Sequence, residues 1–245
     1  MAIGYIQDYD GENLLIAVPY PNGAQELIDK KISECEVVIH DGREISPKQR
    51  NKIFALVNDI AAWANGMDKK RAVFNETLRQ LQLNYVIDIC DKEEVRRALT
   101  NSYCQLMSID LFSLAARRPD TIDMTMARDF IDWLVELCVE YGIPCMDTLL
   151  NRCEDIGRYL YACAMHRSCA ICGYRNGKAD WHHVDHVGTG RDRTKIHHLG
   201  LRGQPLCRKH HTEVGMIGQE SFDEKYHMES IRLDEKLCKA LGLRV

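Results

Sequence analysis

The chain has 245 residues, 45% hydrophobic and 28% charged, with a formal net charge of −4, which is an ordinary globular composition for one large domain or two modest ones. No apolar run reaches the roughly 20 residues of a membrane span, and no charged-then-apolar leader pattern opens the chain. A cytoplasmic protein is the expectation. Eleven cysteines, an odd number, argue for reduced thiols over a disulfide framework. Cys90, Cys104, Cys138, Cys153 and Cys163 sit among Leu, Ile, Val and Met and read as buried small hydrophobes.

The first 45 residues read as β-rich. A strand over 14–18 follows an Asp10-Gly11 turn, and a second over 35–39 ends at Asp41-Gly42, with a short helix over 24–32 between them. Helix signals then take over. Ser46-Pro47 opens a helix with Ile53, Phe54, Val57, Ile60 and Ala61 on one stripe and Gly66 beyond its end. Asp68 caps the next, running to about Leu83, and 85–90 suits a strand. Asp91 with Glu94 is a capping-box pattern. A further helix carries Ala127, Phe130, Ile131, Leu134, Leu137, Cys138 and Tyr141 and stops at Gly142-Ile143-Pro144. Asp147 starts one last helix through Cys163, with Leu150, Cys153, Ile156 and Leu160 inward. These stripes read as core. Nothing in residues 1–165 places a catalytic group.

The chemistry is concentrated after residue 165. Between His166 and Glu213 lie nine Lys/Arg against four acids, a local balance of +5 that leaves −9 for the rest, and eight of the ten histidines. A basic, histidine-dense stretch on an acidic body suits contact with a phosphate backbone. Within it, Cys169-Ala-Ile-Cys172-Gly is answered about 35 residues later by Cys207-Arg-Lys-His210. Two short pairs of matched spacing give four ligands for one tetrahedral Zn²⁺, a closed structural site. Histidines remain once that site is filled. His182 and His183 lie in a segment that reads as a strand, and His211 follows the last zinc ligand where a helix should begin. Neighbours in a strand point to opposite faces, so one of the two histidines can serve a metal while the other addresses substrate.

This arrangement resembles the ββα-metal, or HNH, nuclease family. The resemblance implies His183 as general base, His182 and His211 as ligands of one catalytic Mg²⁺ or Mn²⁺, and His198 or its neighbour His197 in the middle, base-orienting position. Asp185-His186 is a competing ligand-and-base pair, and Arg191, Arg193 and Lys195 are candidate phosphate grips. His40 and His227 read as structural. The run from Cys169 through HHVDHVGTGRDR, PLCRKHHTE and IGQESFDEKYH is similar to HNH nucleases carried by phages and prophages, whose further ligand four residues after the position of His211 is replaced here by Gly215. Glu213 is the candidate to compensate, though on an ideal helix it points elsewhere. The segment from Ile45-Ser46-Pro47 through Phe130-Ile131-Asp132-Trp133-Leu134 to Gly142-Ile143-Pro144 is similar to the Orf (NinB) recombination mediators of lambdoid phages. That likeness implies a homodimer that handles single-stranded DNA and contacts single-strand-binding protein.

The fold expected is α+β: a mostly helical domain over 1–165 with a small β-rich start, then a zinc-stabilised ββα-metal module over 166–245. The function expected is a metal-dependent endonuclease hydrolysing DNA, single-stranded or branched DNA included, in phage recombination or processing within the host cytoplasm. The alternative is a non-catalytic zinc-containing mediator. A redox enzyme or another kind of hydrolase has no motif to support it.

Overall fold

The computed structural model of the chain describes residues 5–9, 11–12, 14–17, 42–64, 92–173, 179–185 and 197–245. The strand expected over 14–18 appears as β2 (Leu14–Ala17), paired antiparallel with β1 (Tyr5–Tyr9) across a turn in which Gly11 takes φ +99°. The expected helix over 24–32, the strands over 35–39 and 85–90 and the helix starting at Asp68 lie outside the described residues.

Helix α1 (Pro47–Ala64) begins where Ser46-Pro47 placed it. Ser46 Oγ accepts the Gln49 amide at 3.2 Å while Gln49 Oε1 accepts the Ser46 amide at 3.1 Å. That reciprocal box satisfies two of the donors a helix start leaves open. Gln49 also donates to the Met124 carbonyl, locking α1 to the start of α3 (Met124–Tyr141). α2 (Lys92–Met107) packs on α1. Asp123 caps α3, and Gly142 ends it in the left-handed conformation, φ +65°. Ile53, Val57, Phe130, Ile131 and Leu134 are wholly buried, as their spacing requires of inward stripes.

The single helix expected from Asp147 through Cys163 is two helices. α4 (Leu149–Arg152), capped by Thr148, ends at an extended Cys153, and α5 (Ile156–Met165) restarts behind its own cap, Asp155. The cause is tertiary. Asp132, buried on α3, accepts the amides of Glu154 and Asp155 at 2.7 and 3.2 Å, so an outside carboxylate takes donors that a continuous helix would have used. The buried Arg152–Asp59 ion pair, 2.6 Å, anchors α4 to α1.

Beyond α5 come β3 (Asp180–His183), β4 (Arg202–Leu206), α6 (Arg208–Ile217), α7 (Gln219–Tyr226), β5 (Ile231–Arg232) and α8 (Glu235–Leu241). The sheet order is β3-β4-β5, antiparallel throughout, with His182 opposite Gln204 and His183 opposite Gly203. α5 packs against both β4 and α8. The main buried cluster runs across residue 165, from Ile45 to Met228, and a smaller one joins Ala164 to Leu233, Leu237, Cys238 and Leu241. The fold is thus a mixture of helices and small sheets, as expected. No helix among the described residues is long and apolar enough to cross a membrane.

Candidate metal centre and histidine site

The loop after α5 turns sharply at Cys169-Ala-Ile-Cys172-Gly173. The Gly173 amide donates to the Cys169 carbonyl at 2.8 Å, and Gly173 sits at φ +64°, a conformation glycine adopts without a Cβ clash. Two bonds seat this turn. Ala170 N donates to the Pro205 carbonyl of β4, and the buried Tyr159 hydroxyl of α5 donates to the Ala170 carbonyl at 2.8 Å. On the other side, Cys207 occupies the N-cap of α6 and places His210 one turn in.

The four expected zinc ligands converge: their ligand atoms all lie within 4.8 Å of one another. Cys169 Sγ is 3.4 Å and Cys207 Sγ 3.2 Å from His210 Nδ1, and Cys172 Sγ is 3.9 Å from Cys207 Sγ. One tetrahedral zinc with Zn–S of about 2.3 Å and Zn–N of about 2.0 Å requires S···S near 3.8 Å and S···N near 3.5 Å. The donor set fits zinc. Cys169, Cys207 and His210 are buried, with Cys172 at the exposed rim. Burial pushes the Cys169 thiol up to about 12 and the His210 imidazole down. Both shifts favour the neutral forms of Cys169 and His210, and a divalent ion is what would make a thiolate stable there.

The knot ties the turn ahead of β3 to the start of α6, and two histidine pairs form beside it. On one face of β3, His182 Nδ1 lies 3.3 Å from His211 Nε2 of α6, ring centroids 4.7 Å apart. On the other, His183 Nε2 lies 2.9 Å from His198 Nδ1. Strand alternation sends the two adjacent imidazoles to different partners. His198 is buried, and its amide donates to the Arg244 carbonyl near the end of the chain. His197 is exposed and bonded at Nδ1 to the Val245 carbonyl, so His198 is the neighbour that meets His183. Burial first, then the nearby His182, holds the His211 imidazole below its ordinary value, favouring the neutral form with a lone pair. The 3.3 Å separation suits two lone pairs meeting one cation at about 2.1 Å each.

The remaining sequence candidates fall elsewhere. Asp185 spends its carboxylate on Arg202, at 2.7 Å to the amide and 2.8–2.9 Å to the guanidinium. That contact keeps the carboxyl below its ordinary range. His186, Arg191, Arg193 and Lys195 lie outside the described residues, as does His40. Glu213 binds Lys225 and the Tyr226 hydroxyl and belongs to the helix surface behind His210. At Gly215 an added Cβ would meet nothing within 4 Å. His227 ends α7 in the left-handed conformation.

Sequence reasoning missed three groups at the site. Gln219 Oε1 lies 2.9 Å from His182 Nε2, and behind it stand Gln204, fully buried on β4, and Asp223 of α7. The available signal was Gln204 itself, a polar side chain between Gly203 and Pro205 in the short run that leads to Cys207. Gly203 is the fourth omission, structural in kind. A Cβ there would collide with the His182 carbonyl oxygen and, at 2.5 Å, with the Trp181 indole. Only glycine lets β4 approach β3 this closely.

Fold and site together define an α+β protein with a Cys₃His cluster compatible with zinc and a histidine-rich surface beside it. The family model described as "Putative HNHc nuclease" matches residues 18–244, which spans the helical body as well as the metal-binding part. The chain belongs to this family of HNH nucleases. Neither the curated proteins nor the solved structures give a match.

Proposed function

We propose that the chain is a metal-dependent endonuclease that hydrolyses DNA phosphodiester bonds, with His183 as general base. The observation that carries this reading is the separation of two imidazole pairs on opposite faces of β3, next to a knot whose four ligands are already accounted for. His198 holds the His183 ring by Nε2 and limits its tautomers, and a neutral imidazole so held takes a proton from water near neutral pH. His182 and His211 would hold one Mg²⁺ or Mn²⁺. Such an ion, when bound, offsets charge on the scissile phosphate and the departing 3′ oxygen. Cys169, Cys172, Cys207 and His210 would hold a structural Zn²⁺ that keeps β3 against α6. Arg191, Arg193 and Lys195 grip the phosphate backbone in this reading, on the strength of their charge alone.

His183→Ala tests the assignment. Nicking of DNA with Mg²⁺ or Mn²⁺ is expected to fall about 10²–10⁴-fold, the usual worth of a general base, while zinc content and the circular dichroism spectrum stay unchanged. Undiminished cleavage removes His183 from the role.

The role in the cell that best suits the resemblance is recombination or processing of phage DNA, on single-stranded or branched substrates in the host cytoplasm. The protein would act there as a homodimer in contact with single-strand-binding protein. Sedimentation and binding to DNAs of different shape test those parts. A second reading, a mediator that binds DNA without cutting it, is favoured by one observation: Gly215 offers no side chain where α6 faces open space. It predicts salt-sensitive DNA binding and no nicked product with any divalent ion.

A further inference from the structure

We infer that Gln219, Gln204 and Asp223 form a hydrogen-bond relay that sets the tautomer of His182, so that its Nδ1 carries the lone pair that faces His211. The inference rests on the reading of His182 as a metal ligand and assigns Gln219 as a positioning residue behind it.

The direction of every bond in the relay follows from its far end. The Asp223 carboxylate and the Glu229 carbonyl oxygen can only accept. Gln204 lies 2.7 Å from Asp223 Oδ1 and 2.8 Å from the Glu229 oxygen through one and the same amide terminus. That terminus must be its nitrogen, and its oxygen then points the other way. Gln219 presents one terminus to that oxygen at 3.2 Å and to Asp223 Oδ1 at 2.9 Å. Two acceptors again demand the amide nitrogen. Gln219 Oε1 is therefore the atom 2.9 Å from His182 Nε2, and an oxygen acceptor there requires Nε2–H on the imidazole. In the neutral ring the other nitrogen, Nδ1, is then the acceptor, and it is Nδ1 that stands 3.3 Å from His211 Nε2.

The arrangement has the logic of outer partners around metal-bound histidines, where an acceptor on the second ring nitrogen fixes both the tautomer and the ring orientation. Here that acceptor is a neutral amide, held by a buried glutamine and an aspartate instead of by direct contact with a carboxylate. Reversing any one amide would bring two acceptors or two donors face to face. With Gln204 fully buried, an amide turned the wrong way would leave enclosed polar atoms unpaired, which is unfavourable. The relay also joins three elements, β4, α7 and β3, behind one imidazole. It couples the position of His182 to the packing of the sheet.

The test uses histidine-labelled full-length protein carrying one zinc per chain and no second ion, at a pH where imidazoles are neutral. Long-range ¹H–¹⁵N spectra read the tautomer of His182, assigned by its loss in His182→Ala. Wild type is expected to show Nε2–H. Gln219→Leu removes the acceptor at similar volume and is expected to lose that preference. Calorimetric Mn²⁺ titration is expected to show about tenfold weaker binding for Gln219→Leu, the lower end for loss of an outer partner. An Nδ1–H tautomer in wild type, or a Gln219→Leu spectrum identical to it, overturns the relay. Absence of Mn²⁺ binding in wild type would instead strike the metal-ligand reading, and the tautomer spectrum would still decide the relay.

Discussion

The helical body and the metal-binding part hold together by different means. Around α3 the enclosed residues are mostly apolar, Phe130, Ile131 and Leu134 among them, with Asp132 buried beside them. Phe130 meets Tyr103, Phe112 and Trp133 at centroid distances of 4.9, 5.4 and 5.9 Å, and its neighbours along the helix are buried as well. Such contacts are non-directional and sum over area. Around β3 and α6 the buried groups are thiols, imidazoles and amides, each meeting a named partner at hydrogen-bond or ligand distance. Those interactions are directional and fail when a single partner is removed. The body rests mainly on buried area, the site on the identity of each partner.

Four perturbations break or sharpen that contrast, beginning with the largest. Removing the proposed zinc is expected to take away a binding free energy of about 10–16 kcal/mol, the range for small zinc modules. Hydrogen exchange is expected to show loss of protection through Cys169 to His211 first, with α1 and α3 keeping theirs. Simultaneous loss in α3 would mean that the knot and the body are one cooperative unit. Phe130→Ala opens a cavity where the ring packs and is expected to cost about 3–5 kcal/mol in denaturant unfolding. The native variant should still bind one zinc per chain.

Gly203→Ala forces a methyl group into the His182 carbonyl and the Trp181 indole. Overpacking of this kind costs about 1–3 kcal/mol. Because β3 must shift, cleavage is expected to fall by a larger factor than stability alone explains, with equal stability and equal activity loss arguing against the idea. Smallest is Gly215→Ala. The residue is exposed in the interior of α6, outside the left-handed region, with open space beyond. Alanine there should stabilise the protein by up to about 1 kcal/mol, read as a raised Tm. A lowered Tm would show that the open space is needed.

Much of the framework was legible before any coordinates. Ser46-Pro47, Gly142 and the stripes of α1 and α3 placed those helices correctly, because local caps and periodic burial act within one element. The matched spacing of Cys169/Cys172 and Cys207/His210 named four groups that do converge, since a metal knot is written into the chain as ligand types at fixed intervals. The break at Cys153–Asp155 was not legible: it depends on Asp132, more than twenty residues away in sequence and on another helix.

What the amino-acid order determined alone was the inventory: where α1 and α3 begin and end, which side chains of metal-binding type recur at matched spacing, and that adjacent His182 and His183 must face apart. What only the tertiary structure decided was partnership. His198 and not His197 meets His183, Asp185 is consumed by Arg202, and Gln219 and Gln204 stand behind His182. The physical reason is range. Propensity, capping and alternation operate over a few residues, whereas a hydrogen-bond partner is chosen by the register of β3 on β4 and the docking of α6 and α7, which no local pattern encodes.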